Sequence, residues 1–141
     1  MEDAKFSLKQ VSQMTALTER TLHNYMKRGL LHGDKTLTGW QFSFEQISQF
    51  MDEPFVTAAI QSKHQSMVED FLHKKIPTAG NVCLVYDIEP ITPDKYQRFI
   101  HLCDFFPEIR TAYYQKKSTA RITLCGKSHQ VSAFLSDFQF D

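Results

Sequence analysis

A short polar stretch near the N-terminus carries side chains whose types suit contact with double-stranded DNA. Arginine pairs bidentately with guanine and asparagine with adenine, whereas lysine and histidine suit phosphate oxygens. We therefore expect Arg20 and Asn24 to contact base edges and His23 and Lys27 to contact phosphates. Thr18 precedes them and is expected to face the same groove. A polar helix face is more often simply solvated, so the surrounding elements decide between the two interpretations.

The spacing of apolar residues predicts two short helices joined by a tight turn through residues 15–17. Ser7 and Gln10 form a capping-box pattern that begins the first helix, and Thr18 is placed to cap the second. Gly29 suits the left-handed residue just past the second helix. The residues expected to be buried are Leu8, Val11 and Met14 in the first helix and Leu22, Tyr25 and Met26 in the second.

Residues 20–31 read RTLHNYMKRGLL, which resembles the R-T-L-R-Y-Y-x-x-x-G-L-L signature of MerR-type winged helix-turn-helix transcriptional regulators. Residues 38–42, TGWQF, stand where that family has the N-G-Y-R of its wing, and the resemblance covers about residues 5–53. The resemblance implies a bacterial transcription regulator that binds double-stranded DNA, usually as a homodimer. It also implies that Trp40 and Gln41 rest against the DNA backbone from the wing.

Three positions depart from that family's pattern. His23, Asn24 and Gln41 stand where the family has arginine, tyrosine and arginine, which removes planar, bidentate phosphate contacts. The whole chain is formally neutral, with 16 basic and 16 acidic residues, although residues 5–35 hold six basic against two acidic ones, an excess of four. Two other classes therefore remain open: a protein-interaction module that keeps the winged fold without DNA affinity, and a small enzyme in the C-terminal part.

The pattern predicts an α+β fold with a boundary near residues 53–54. We expect a winged helix-turn-helix domain over residues 1–54, a connecting or dimerisation helix over 55–78 that ends at Pro77, and a small α+β domain over 79–141. The helix candidate within 57–75 should bury Ile60, Met67, Val68, Phe71 and Leu72 on one side.

In the C-terminal domain the expected order is strand, helix, strand, strand, helix. Residues 82–88, VCLVYDI, form an apolar run that predicts a central strand, and a hairpin is expected around residues 116–118. Thr92 and Pro93 begin a helix, and Ser128 caps the last one. This order approximates a ferredoxin-like unit without its last strand, which leaves an edge for pairing with a second copy. A small-molecule or protein effector could bind the same unit.

No residues form a convincing catalytic, metal or cofactor site, so no enzyme activity is predicted. Cys103 with His101 and Cys125 with His129 are spaced like metal ligands, but buried cysteine is the commoner reason for such residues. Three acids, Asp87, Glu89 and Asp94, are equally explained by a solvated strand end and a helix start. No apolar stretch approaches a membrane span of about 20 residues. The cysteine spacing fits no disulfide framework, so a reduced, cytoplasmic protein is expected.

Overall fold

The computed structural model describes residues 4–73 and 79–139, and within them the chain forms six helices and six strands. The first half contains β1 (Lys5–Ser7), α1 (Leu8–Thr15), α2 (Glu19–Lys27), β2 (Asp34–Thr36), β3 (Gly39–Ser43) and α3 (Phe44–Met51). The second half contains α4 (Pro54–Leu72), β4 (Asn81–Ile88), α5 (Pro93–Phe105), β5 (Arg110–Lys116), β6 (Thr119–Lys127) and α6 (Ser128–Gln139). The mixture of helix and strand confirms the α+β class.

Local capping signals place the first two helices. Ser7 Oγ accepts from the Gln10 amide over 3.1 Å while Gln10 Oε1 accepts from the Ser7 amide over 2.8 Å, which is the predicted capping box. Thr18 Oγ1 caps α2 by accepting from the Thr21 amide over 3.1 Å. Gly29 follows α2 with φ at 76°, as a left-handed residue past a helix end should.

The turn between α1 and α2 lies one residue later than the sequence indicated. Thr15 is the last residue of α1, and its hydroxyl donates to the Val11 carbonyl, four residues earlier, over 2.8 Å. The turn is therefore Ala16, Leu17 and the cap Thr18, and Ala16 adopts a left-handed conformation with φ at 64°. The prediction of a three-residue turn was correct in length and shifted in position.

A small antiparallel sheet of order β1-β3-β2 stands beside these helices. Strands β2 and β3 form a hairpin that includes residues 39–42, which the sequence analysis compared with a wing. Strand β1 was not expected, because three residues are too few to show an alternating pattern. Phe6 in β1 pairs with Phe42 in β3, and both side chains are buried. Strand β1 therefore has two roles: it is the third strand of the sheet, and its last residue, Ser7, caps α1.

The second sheet has the antiparallel order β4-β6-β5, so β6 is its central strand. The prediction that residues 82–88 form a central strand was wrong: β4 lies at an edge. One face of β4 packs against α6, whereas Val85, on the face turned towards α4, is 51% exposed. The hairpin turn at Lys117 and Ser118 makes β5 and β6 neighbours, as predicted. Strand β4 then pairs with β6, the order expected for a ferredoxin-like unit without its last strand.

Helix α4 crosses the sheet face opposite to α5 and α6, starting three residues before the predicted helix. Pro54 fits the first helical position because its missing amide hydrogen has no helical partner there. The expected helix end at Pro77 lies in residues 74–78, outside the described ranges. The buried side chains are Val56, Ile60, His64 and Met67, whereas Val68 and Phe71 are half-buried. The expectation of a buried Leu72 was wrong, since it is 70% exposed at the helix end.

Buried side chains from the N-terminal and C-terminal parts form one continuous cluster. Tyr96 of α5 is fully buried, with ring centroids 4.8 Å from Phe6, 5.1 Å from Phe44 and 5.3 Å from Tyr113. We call this junction the seam; polar bonds also cross it, including Gln13 Nε2 to the Cys103 carbonyl and Gln115 Nε2 to Ser48 Oγ. The seam fixes the N-terminal helices against the second sheet.

Candidate nucleic-acid interface

One side of α2 is anchored in the protein interior. Leu22 is fully buried and Tyr25 is 5% exposed. The Tyr25 ring packs 5.5 Å from Phe50 of α3. Met26, which was also expected to be buried, is only half-buried. Because these contacts fix the rotation of α2 about its axis, they also fix which residues face outward.

The outward side of α2 gathers four of the predicted contact residues. Arg20, His23, Asn24 and Lys27 are all exposed, and their spacing of i, i+3, i+4 and i+7 places them on one helical face. We call these four residues the outer face of α2. The pattern combines two fixed cations with a histidine and an amide, which are groups that recognise phosphates and base edges.

Thr18 lies at the N-terminal end of this face, but its hydroxyl is engaged locally. Its Oγ1 accepts from the Thr21 amide and lies 2.9 Å from the Thr21 hydroxyl. The side chain is exposed and could contact a ligand, but its hydroxyl oxygen would have to keep its capping hydrogen bond at the same time. Glu19 follows it in the first turn, where a carboxylate interacts favourably with the helix dipole.

The hairpin of β2 and β3 does not present Trp40 and Gln41 together. Both side chains are half-buried, and as neighbours on β3 they point to opposite faces of the sheet. Trp40 pairs across the hairpin with Lys35, whose Nζ lies 5.2 Å from the ring centroid. Leu37 at the hairpin tip is fully exposed. Sequence reasoning named neither Lys35 as a partner of Trp40 nor Leu37.

The basic groups next to α2 differ in how firmly they are held. Within residues 4–73 and 79–139, no ion pair engages Arg20 or Lys27. Arg28, at the end of α2, is held instead by the Phe55 ring of α4, with the guanidinium carbon 4.7 Å from the ring centroid. Arg20 and Lys27 therefore keep their charges available to a ligand.

Two cavities lie beside α4 at the second sheet, where the sequence suggested an effector. The larger, about 400 Å³, is lined by residues that include His64, Val85, Tyr114 and Arg121. Burial lowers the pKa of His64 to about 4, so the ring is neutral near pH 7, and its Nδ1 lies 2.7 Å from Thr123 Oγ1. The smaller cavity, about 290 Å³, lies nearer the C-terminal end of α4.

The acids singled out from the sequence do not assemble a reaction centre. Asp87 accepts two hydrogen bonds from Arg121, at 2.7 and 2.9 Å, and these bonds lower the pKa of its carboxyl group. Asp94 lies in the first turn of α5. Across the described part of the chain, no three His, Cys, Asp or Glu side chains come together as metal ligands.

None of the helices in the described ranges is both long and apolar enough to cross a membrane. Comparison with known proteins identified no match, either among protein-family models, among curated proteins or among solved structures.

Proposed function

We propose that this protein is a DNA-binding transcriptional regulator whose residues 1–54 form a MerR-type winged helix-turn-helix domain. Helices α1 and α2 would be the helix-turn-helix, and the hairpin of β2 and β3 would be the wing. The observation that carries the proposal is the outer face of α2, where four exposed polar side chains project from a helix anchored on its opposite side. Such a helix can enter a major groove without rearranging.

Each residue of that face has a role in the proposal. Arg20 and Asn24 read base edges, since their side chains can pair bidentately with guanine and adenine. His23 and Lys27 contact phosphates, and Thr18 faces the groove from the helix start. Trp40 contacts the backbone from one face of the hairpin, where Lys35, stacked on its ring, adds a cation. Gln41 points to the opposite face of β3 and therefore takes no part in that contact.

The proposed regulator acts as a homodimer that pairs through β4. A neutral chain with a local excess of four positive charges supplies modest affinity per monomer, so two reading helices are needed. Among the described residues no strand pairs with the outer edge of β4. The strand is eight residues long and contains no proline, which would hinder pairing. Unprotected edges of this kind pair with other strands. Helix α4, by contrast, already packs its buried residues on its own sheet.

Dimerisation is tested by sedimentation of the full chain at micromolar concentration. A dimer is expected for the wild-type protein. Val85→Lys should give monomers, because a lysine on an edge strand disfavours its pairing with another strand, whereas Val85→Thr keeps a β-branched residue and should remain dimeric. A wild-type monomer would contradict pairing through β4.

The second candidate is a protein-interaction module with the same fold. It is favoured by His23, Asn24 and Gln41 at positions where the resembled family clamps phosphate, and by the exposed Leu37 at the hairpin tip. Binding of the full chain to random-sequence duplex DNA separates the two candidates. Binding at about 50 mM salt supports the regulator. No binding there rejects it and assigns the outer face of α2 to a protein partner.

A further inference from the structure

Two cysteines lie directly opposite each other in the second sheet. Cys83 of β4 is the register partner of Cys125 of β6. Opposite residues of antiparallel strands have Cα atoms about 4.5 or 5.5 Å apart. A disulfide needs a Cα separation of roughly 4.4–6.8 Å, so the backbone of either kind of pair already satisfies it.

The side chains of this pair also point at each other. Both project from the sheet face that carries α4, and the Cys125 thiol donates towards Cys83 Sγ over 2.8 Å. Both residues are half-buried rather than enclosed. Cys125 lines the cavity of about 290 Å³ beside α4, which gives a small solute a route to the sulfur atoms.

The third cysteine has the opposite environment. Cys103 on α5 is 4% exposed, and its Sγ lies 3.7 Å from Thr111 Oγ1. Burial raises the pKa of the Cys103 thiol to about 12, which keeps it protonated and unreactive at neutral pH. The chain therefore contains its own control for cysteine chemistry.

We propose that Cys83 and Cys125 are a redox site that forms a reversible intrachain disulfide with a peroxide as oxidant. The sulfur of one cysteine attacks a peroxide oxygen, the O–O bond breaks, and the thiol proton leaves with the released hydroxide as water, giving a sulfenic acid. The second sulfur attacks the sulfenic sulfur, the S–O bond breaks, and another water leaves. Two thiols and one hydrogen peroxide thus become one disulfide and two waters, and a dithiol reverses the oxidation by exchange.

The disulfide ties an edge strand to the central strand of its sheet. In the reduced state β4 is held by its ladder with β6 and by packing against α6. A disulfide between the two strands keeps them close together even in the unfolded chain, which lowers the conformational entropy of the unfolded state. The free energy of unfolding of the oxidised protein should therefore be larger. The redox state therefore sets how readily β4 detaches, whether or not the protein binds DNA.

The test is to treat the full chain with hydrogen peroxide, block the remaining thiols with an alkylating reagent under denaturing conditions, and map the peptides by mass. The proposal expects a loss of mass equal to two hydrogen atoms, linkage of the peptides containing Cys83 and Cys125, one alkylated residue at Cys103, and reversal by dithiothreitol. Alkylation of all three cysteines after peroxide, or oxygen addition without linkage, would overturn it. So would a disulfide between two chains on a non-reducing gel.

Variants locate the effect and separate it from general folding. Cys83→Ser and Cys125→Ser should each abolish the mass loss, whereas Cys103→Ser should retain it. The urea midpoint of the wild-type protein should rise on oxidation and return on reduction, and that of Cys83→Ser should not move. If a serine variant does not fold, the peptide map of the wild-type protein still decides the outcome. An unchanged wild-type midpoint with the linkage present would refute the stabilising effect.

Discussion

The outer face of α2 and the seam around Tyr96 are held in opposite ways. Side chains of the outer face project into solvent, and Arg20 and Lys27 make no ion pair within the described residues. At the seam, aromatic rings from both halves of the chain bury Tyr96 completely. The seam should therefore govern stability and the outer face should govern binding, which mutations can separate.

The largest effect is expected at the seam. Tyr96→Ala removes a buried ring that contacts three others, and should lower the free energy of unfolding by about 3–5 kcal/mol in urea titrations. Phe105→Ala is the matched control, because the Phe105 side chain is 75% exposed and its removal should change stability little. A loss below about 1 kcal/mol for Tyr96→Ala would contradict the role of the seam.

The next largest effect is expected on lowering the pH, because a buried histidine then destabilises the fold. Burial lowers the pKa of His64 from 6.5 to about 4, and the charge of Arg121 acts in the same direction. Between these values the unfolded chain binds a proton that the folded chain does not. The free energy of unfolding should therefore fall as the pH drops from 6.5 towards 4, by up to about 3 kcal/mol from this group.

Two histidine variants measure that contribution. His64→Gln should flatten the dependence of the urea midpoint on pH within this window. His23→Gln removes an exposed histidine from the outer face of α2 and should leave the dependence unchanged. Equal pH profiles for the wild-type protein and His64→Gln would show that His64 does not control acid sensitivity.

Substitutions in the outer face of α2 should weaken DNA binding without changing the stability of the fold. On a site selected from random DNA, Arg20→Ala should lose about 1–3 kcal/mol of binding free energy and relax the preference at one base pair. Lys63→Ala, an exposed lysine of α4, is the control and should bind like the wild-type protein. Unchanged specificity in Arg20→Ala, measured by competition with altered sites, would remove Arg20 from base recognition.

The smallest effect is expected from removing the hydroxyl group of Tyr96 at the seam. The Tyr96 hydroxyl is buried without a hydrogen-bond partner among the described residues, so Tyr96→Phe should leave stability unchanged or raise it by less than about 1 kcal/mol. Tyr113→Phe, which removes a 2.7 Å hydrogen bond to Gln115, should instead destabilise by about 1–3 kcal/mol. Thermal unfolding of the two variants compares them directly, and the reverse order would show that the Tyr96 hydroxyl is bonded.

Sequence reasoning succeeded where a few neighbouring residues decide the structure. The caps of α1 and α2 involve residues three apart, and helical spacing was sufficient to predict which side of α2 is exposed. The seam joins residues such as Gln13 and Cys103, which are 90 positions apart, so no local pattern indicates it. The edge position of β4 likewise depends on strand pairing rather than on composition.

The cysteines illustrate the same limit at a candidate site. Spacing along the chain drew attention to Cys125 and His129, whereas the strand register places Cys125 opposite Cys83, 42 positions away. Spacing along the sequence therefore paired Cys125 with His129, whereas in the fold its neighbour is Cys83. Predicting the pairing would have required the order of strands in the second sheet.

A salt series tests most directly whether the outer face of α2 binds duplex DNA. Binding of the full chain to duplex DNA should weaken steeply as salt rises, because phosphate contacts release counterions. Lys27→Ala should reduce the slope of log affinity against log salt by about 1 per reading helix, whereas Lys63→Ala should not change it. No binding at about 50 mM salt, or equal slopes for all three proteins, would contradict DNA binding by the outer face of α2.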